Sequence, residues 1–136
     1  MTVIGRESLT QIDLLIAQGA DFRCAMRYKV GDSPVDLTGW FARTQLRRKV
    51  GGEIWLAVTS TDDGEASLTL SDEGMVILDI PAVVTEDPAW DTRSKVVAGE
   101  LQPLGVWDLE LVNPDGGVIR LAQGLVTVSP DVTRQA

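Results

Sequence analysis

The sequence predicts an all-β protein, a two-sheet sandwich or small barrel of about seven or eight strands with at most one short helix. Short runs with an apolar residue at every second position recur along the 136 residues, each closed by Gly, Pro, Asn or Asp. One segment only, Ala82–Trp90, has the spacing of a helical turn, and Pro88 interrupts it. Hydrophobic residues make up 44% and charged residues 24%, a globular balance at a length that fits one domain.

Taken in order, Phe22, Cys24, Met26 and Tyr28 share one parity while Arg23, Arg27 and Lys29 share the other, which marks a half-buried strand. Gly31-Asp32-Ser33-Pro34 ends it. Trp40, Ala42, Thr44 and Leu46 oppose Phe41, Arg43, Gln45 and Arg47 in the next strand. Ile54–Thr59 follows, with Trp55, Ala57 and Thr59 on one parity, and Asp62-Asp63-Gly64 supplies its turn. Ser67–Leu70 and Gly74–Ile80 form a hairpin through residues 71–74, and Pro81 stops the ladder. In Ala82–Trp90, Val83, Val84 and Trp90 are available to plug one end of a core. Thr92–Gly99 reads as a loop or ragged strand. Val106–Val112 alternates strictly, with Trp107, Leu109 and Leu111 inward and Asp108 and Glu110 outward. Asn113-Pro114-Asp115-Gly116-Gly117 is a strong turn, and Val118–Val128 returns with Gly124 read as a bulge. The expected organisation is an N-terminal arm over residues 1–11, one sandwich over 12–129, and a polar tail over 130–136.

Composition excludes several functions. Twelve Lys and Arg against 20 Asp and Glu give a net charge of −8, which disfavours a phosphate backbone as partner. Histidine is absent, removing the commonest general base and metal ligand. The one cysteine, Cys24, permits neither an intrachain disulfide nor a Cys-rich zinc site. No apolar run is long enough to span a bilayer, and Met1–Leu9 lacks a signal peptide's apolar region. No membrane association, no cofactor and no metal are therefore expected.

Candidate chemistry is sparse. Cys24 lies on an apolar parity and reads as a small core residue. Thr61-Asp62-Asp63-Gly64-Glu65 resembles a piece of a calcium loop without the full spacing. Asp108 and Glu110 could form a carboxylate pair on one strand face, but a solvated strand face explains them far better. Arg43, Gln45 and Arg47 line one strand face, with Arg48 and Lys49 after them. This reads first as a solvated face with cross-strand pairs to Asp or Glu, and second as a surface for an acidic neighbour or a second copy of this chain. Of Trp40, Trp55, Trp90 and Trp107, the last is core by parity, and an exposed one among the others would mark an interface. No nucleophile, phosphate loop or metal motif is found, so an enzyme is not expected.

Pro34-Val35-Asp36-Leu37-Thr38-Gly39-Trp40 running into Phe41–Arg47, then Trp107-Asp108-Leu109-Glu110-Leu111, Pro114–Leu121, Gly124–Val128 and Val132-Thr133-Arg134, carry a likeness. This succession resembles the small immunoglobulin-like β-sandwich structural proteins of tailed bacteriophages and prophages, found in baseplates or beside tail fibres. The resemblance implies an immunoglobulin-like two-sheet sandwich and a virion component of the tail or baseplate region, assembled in the bacterial host cytoplasm. It implies an adaptor that holds neighbouring virion proteins and copies of itself in a ring, with no active site. A neck, collar or capsid cement protein, and a carbohydrate-binding sandwich using Trp40 or Trp90, are the alternatives. Candidate interface residues are Arg43, Arg47, Arg48, Asp62, Asp63, Asp131, Val132 and Arg134.

Overall fold

The computed structural model describes residues 9–133. Most of the expected arm (residues 1–8) and Arg134 of the expected tail lie outside the described residues. The strands are β1 (Thr10–Gln11), β2 (Leu14–Ala17), β3 (Phe22–Arg27), β4 (Lys29–Val30), β5 (Ser33–Pro34), β6 (Phe41–Arg47) and β7 (Ile54–Thr59). There follow β8 (Ser67–Leu70), β9 (Met75–Ile80), the short helix α1 (Ala82–Thr85) and a 3-10 turn over Pro88–Thr92. The chain closes with β10 (Lys95–Val97), β11 (Glu100–Gln102), β12 (Gly105–Val112) and β13 (Val118–Ser129).

Two sheets face each other. The larger runs β1-β13-β12-β6-β7, with β2 also on β13, and the smaller runs β3-β9-β8. Counting β1 and β2 as one broken edge strand, eight strands make the sandwich, as the alternation predicted. Their order is immunoglobulin-like, with the first strand parallel to the last. Two small hairpins, β4–β5 and β10–β11, are hydrogen-bonded into neither sheet, although β11 lies against β13.

Strand parity explains the core. Ala42, Thr44 and Leu46 of β6 and Trp107, Leu109 and Leu111 of β12 turn inward. They meet Val76, Leu78 and Ile80 of β9 and Met26 of β3 in one apolar cluster. Asp36 closes its turn as its position suggested, its carboxylate accepting from the Thr38 amide at 2.9 Å and hydroxyl at 2.6 Å. Those two bonds hold the Asp36 carboxyl below the usual carboxylate range. At the β12–β13 turn Gly116 takes a φ of +91°, and Asn113 Oδ1 accepts from the Asp115 and Gly117 amides.

The structure corrects the alternation in four places. Gly124 is not a bulge: the register slips at Leu109/Glu110, leaving Leu121 as the extra residue. Gly124 instead makes room for the N-terminal edge, because a Cβ there would collide with the Ile12 carbonyl oxygen. Trp55 is the extra residue of a second slip, between Leu46 and Arg47, so both Trp55 and Val58 are buried despite opposite parity. Ala82–Trp90 is two turns, not one: α1 ends before Pro88, which opens the 3-10 turn under an Asp87 cap. Thr10 and Gln11 already pair with Ala122 and Gln123, so the sheet takes in the end of the segment expected as an arm.

The Gly124 junction is held by three bonds. The Trp107 indole donates to Ile12 O at 2.7 Å, the Ile12 amide donates to Gln123 O at 2.9 Å, and the Leu125 amide donates to Asp13 Oδ1 at 2.9 Å. Gly124→Ala sets its new methyl against backbone, which has no rotamer to retreat into. We expect it to cost about 2–4 kcal/mol in urea unfolding. Trp107→Phe, which removes one buried hydrogen bond and some packing, is expected to cost about 1–3 kcal/mol.

Candidate functional site

The outer face of the larger sheet collects four of the charged residues singled out from sequence, Arg43, Arg47, Asp108 and Glu110. On β6 the side chains of Arg43, Gln45 and Arg47 point outward, and on β12 those of Val106, Asp108 and Glu110 stand opposite them. Arg43 Nε bonds Glu110 Oε1 at 2.8 Å. Arg120 on β13 lies 3.7 Å from Asp108 and 4.0 Å from Glu110. The carboxylate pair is thus flanked by two guanidinium groups, and it forms part of a cross-strand charge ladder. Burial pushes the Asp108 carboxyl above its usual range, with Arg120 pulling it partly back.

Two shallow grooves cross this face and share Gln45 and Asp108. One, of about 330 Å³, adds Arg47, Val106 and Val50. The other, of about 270 Å³, adds Arg43, Thr59 and Glu110. Arg47 spends Nε on Gln45 Oε1 at 2.8 Å and one terminal nitrogen on Gly52 O at 3.1 Å. Its other terminal nitrogen has no hydrogen-bond partner among the described residues.

Arg48 does not join that face. It lies over the Trp55 ring at 5.5 Å and donates to Thr92 O at 3.2 Å, at the end of the sandwich. There Arg93, only 8% exposed, sits 4.5 Å from the Trp90 ring and 5.6 Å from that of Trp55. Its Nη1 donates to Trp55 O at 3.3 Å and its Nε is buried without a partner. Trp90 plugs the core end as expected, whereas Val83 is left exposed. An arginine sealing an apolar end gave no sequence signal, because Thr92–Gly99 has no alternation.

The other predicted positions are scattered. Asp62 caps its turn by accepting from the Thr59 amide at 2.9 Å, and Asp63 is exposed beside it. Asp131 accepts from the Thr133 amide at 3.0 Å, and Val132 is 95% exposed. Cys24 is half-buried against the core, and burial pushes its thiol up, away from the nucleophilic thiolate. Trp90 cannot be a ligand platform, being 2% exposed, while Trp40 is half-buried and tilted against Tyr28 at 6.0 Å.

Sequence reading missed the β10–β11 hairpin. The two sheets are joined here by residues 81–104, a long connection for a compact sandwich. Its tip turns through Ala98 and Gly99 at φ +52° and +82°, the successive positive values of a two-residue hairpin turn. Alanine at the first position hides the turn, since Asn or Gly is usual there. Val96, Val97 and Leu101 of this hairpin are exposed. β11 touches β13, yet these side chains stay exposed, and a two-stranded hairpin that buries so little is marginal without further packing.

Among the described residues no group of three or more His, Cys, Asp or Glu is placed to hold a metal ion. Nor, among them, is any helix long and apolar enough to cross a membrane. No family model matches the sequence, and no curated protein matches it.

The raised Asp108 pKa fixes a sign. Its folded form holds a proton more readily than its unfolded form, so this carboxyl costs stability as pH rises through the interval between the two values. Asp108→Asn is therefore expected to melt no lower than the wild type at neutral pH. Its advantage should shrink as pH falls below the ordinary carboxylate range, in paired thermal melts across pH. Arg43→Ala, which breaks an exposed pair, is expected to cost about 0–1 kcal/mol and less in high salt.

Proposed function

We propose that this chain is a structural assembly protein, a bacteriophage virion component of the tail or baseplate region that holds neighbouring proteins and copies of itself. The observation that carries the assembly role is the exposed β10–β11 hairpin, mounted on a rigid sandwich beside a grooved, charged sheet face. Exposed β-branched residues on a small protruding element are what a contact surface offers and what an isolated domain avoids. The virion placement is supported by the likeness of Asp36-Leu37-Thr38-Gly39 and Trp107–Leu111 with Pro114–Gly117 to small phage tail sandwiches. A neck, collar or cement position uses the same surfaces and is distinguished by location alone.

A carbohydrate-binding sandwich is the second reading, now confined to Trp40 and the polar groove. Tryptophan quenching by soluble glycans tests it.

Immunogold microscopy of tailed particles from the culture carrying this gene, with an antibody to the chain, tests the virion reading. Label at the tail tip or baseplate is the expected result, and label at the neck or head moves the protein there. Particles without label overturn it. Deleting residues 132–136 is expected to leave stability within about 0.5 kcal/mol, because Val132 touches solvent and Asp131 is retained. The same deletion should weaken co-assembly with particle proteins, and a much lower melting temperature would overturn the role given to the tail.

A further inference from the structure

One face of the hairpin and one groove of the sheet match position by position. Across the hairpin Val97 stands opposite Glu100, and Lys95 opposite Gln102, so these four share a face; Val96 and Leu101 share the reverse. Across the sheet Val106 stands opposite Arg47, and Asp108 opposite Gln45. Going round the sheet quartet gives Arg47, Val106, Asp108, Gln45. Going round the hairpin quartet gives Glu100, Val97, Lys95, Gln102. Every corner meets its complement: cation with anion, valine with valine, anion with cation, amide with amide.

We propose that these two quartets are the halves of a self-association contact, the hairpin of one copy seating on the sheet groove of a second. This deepens the self-assembly part of the proposed function and rests on no other part of it.

Handedness permits the match. Two surfaces meet only if their circuits, each seen from outside, run in opposite senses. The Ser60 amide bonds Ala42 O and the Arg48 amide bonds Glu53 O, which turns the even-numbered residues of β6 toward β7. Gln45 and Arg47 therefore face β12 at hydrogen-bonded positions. A two-residue turn likewise closes on a hydrogen-bonded pair, here Val97 with Glu100. Backbone chirality then puts the partner strand on the same side of β12 as of β10. With the corners placed as above, the two circuits come out with opposite hands.

The groups are available for the contact. Val50, which lines the groove, is 90% exposed, and Val97 is 49% exposed. Among the described residues the half-buried Asp108 has only the 3.7 Å approach of Arg120 as an ion pair, and Arg47, whose charge also acts on Asp108, keeps one terminal nitrogen without a hydrogen bond. Gln102 leads through residues 103–105 into Val106, so hairpin and groove lie at one end of the molecule. Two copies facing each other about a two-fold axis could exchange hairpins and make the contact twice.

Sedimentation equilibrium of the purified full chain over a concentration series tests this. The wild type should self-associate. Glu100→Arg and Arg47→Glu should each weaken association by about tenfold or more, and the two together should recover most of the loss. Val97→Asp should dissociate the complex, while Val96→Asp on the reverse face should not. Both hairpin variants should melt with the wild-type monomer. A wild type that stays monomeric to its solubility limit overturns the contact, as does unchanged association of Val97→Asp or dissociation by Val96→Asp alone. If Arg47→Glu fails to fold, the two valine variants decide. A monomeric result leaves the virion reading to the particle labelling, and unlabelled particles leave the contact to sedimentation.

Discussion

The meeting of Trp107, Gly124 and Ile12 is the constraint on which the larger sheet depends. Trp107 and Gly124 are direct cross-strand partners, and the indole of one reaches over the bare Cα of the other to the Ile12 carbonyl. Any side chain at position 124 would displace that carbonyl. The first strand is consequently broken into β1 and β2, and Asp13 at the break caps the Leu125 amide. With the edge docked, Leu14 and Ile16 complete the core over Val126 and Val128. A glycine, an indole and a short capping carboxylate thus join the two ends of the chain.

What the sheet does with its other face follows from parity. Burying Trp107, Leu109 and Leu111 forces Asp108 and Glu110 outward, and burying Ala42, Thr44 and Leu46 forces Arg43 and Arg47 to the same side. Arg43 and Glu110 are then direct cross-strand partners, and Arg47 and Asp108 stand diagonally across the same face.

Strands with strict alternation were legible in the sequence because a one-residue slip would turn their whole apolar set into water. This held for β6, β9 and β12. It failed where an extra residue entered, at Trp55 and Leu121, because a bulge changes parity without changing composition. The role of Gly124 was hidden for a different reason: a glycine in a strand signals a bulge or a close approach, and only the fold says which backbone comes near. Among the candidate contact residues, Arg43 and Arg47 fell on one face as their spacing indicated. Arg48, one residue on, left that face because the chain turns there and Trp55 offers it a ring. The β10–β11 hairpin was invisible because its valines are adjacent and its turn begins with alanine.

The parallel docking of β1 and β2 on β13 has a mechanical meaning. The first described strand starts and the last one finishes at opposite ends of one edge, as neighbouring strands that point the same way. A pull between them slides the strands lengthwise, so the backbone bonds of β1 and β2 to β13, and the Trp107 indole bond, are loaded together. They are not opened one at a time from an end. Resistance to such a pull is governed by the unfolding barrier and not by the equilibrium stability. A domain strung between neighbours by its two ends would therefore yield last at the edge where its first and last strands meet.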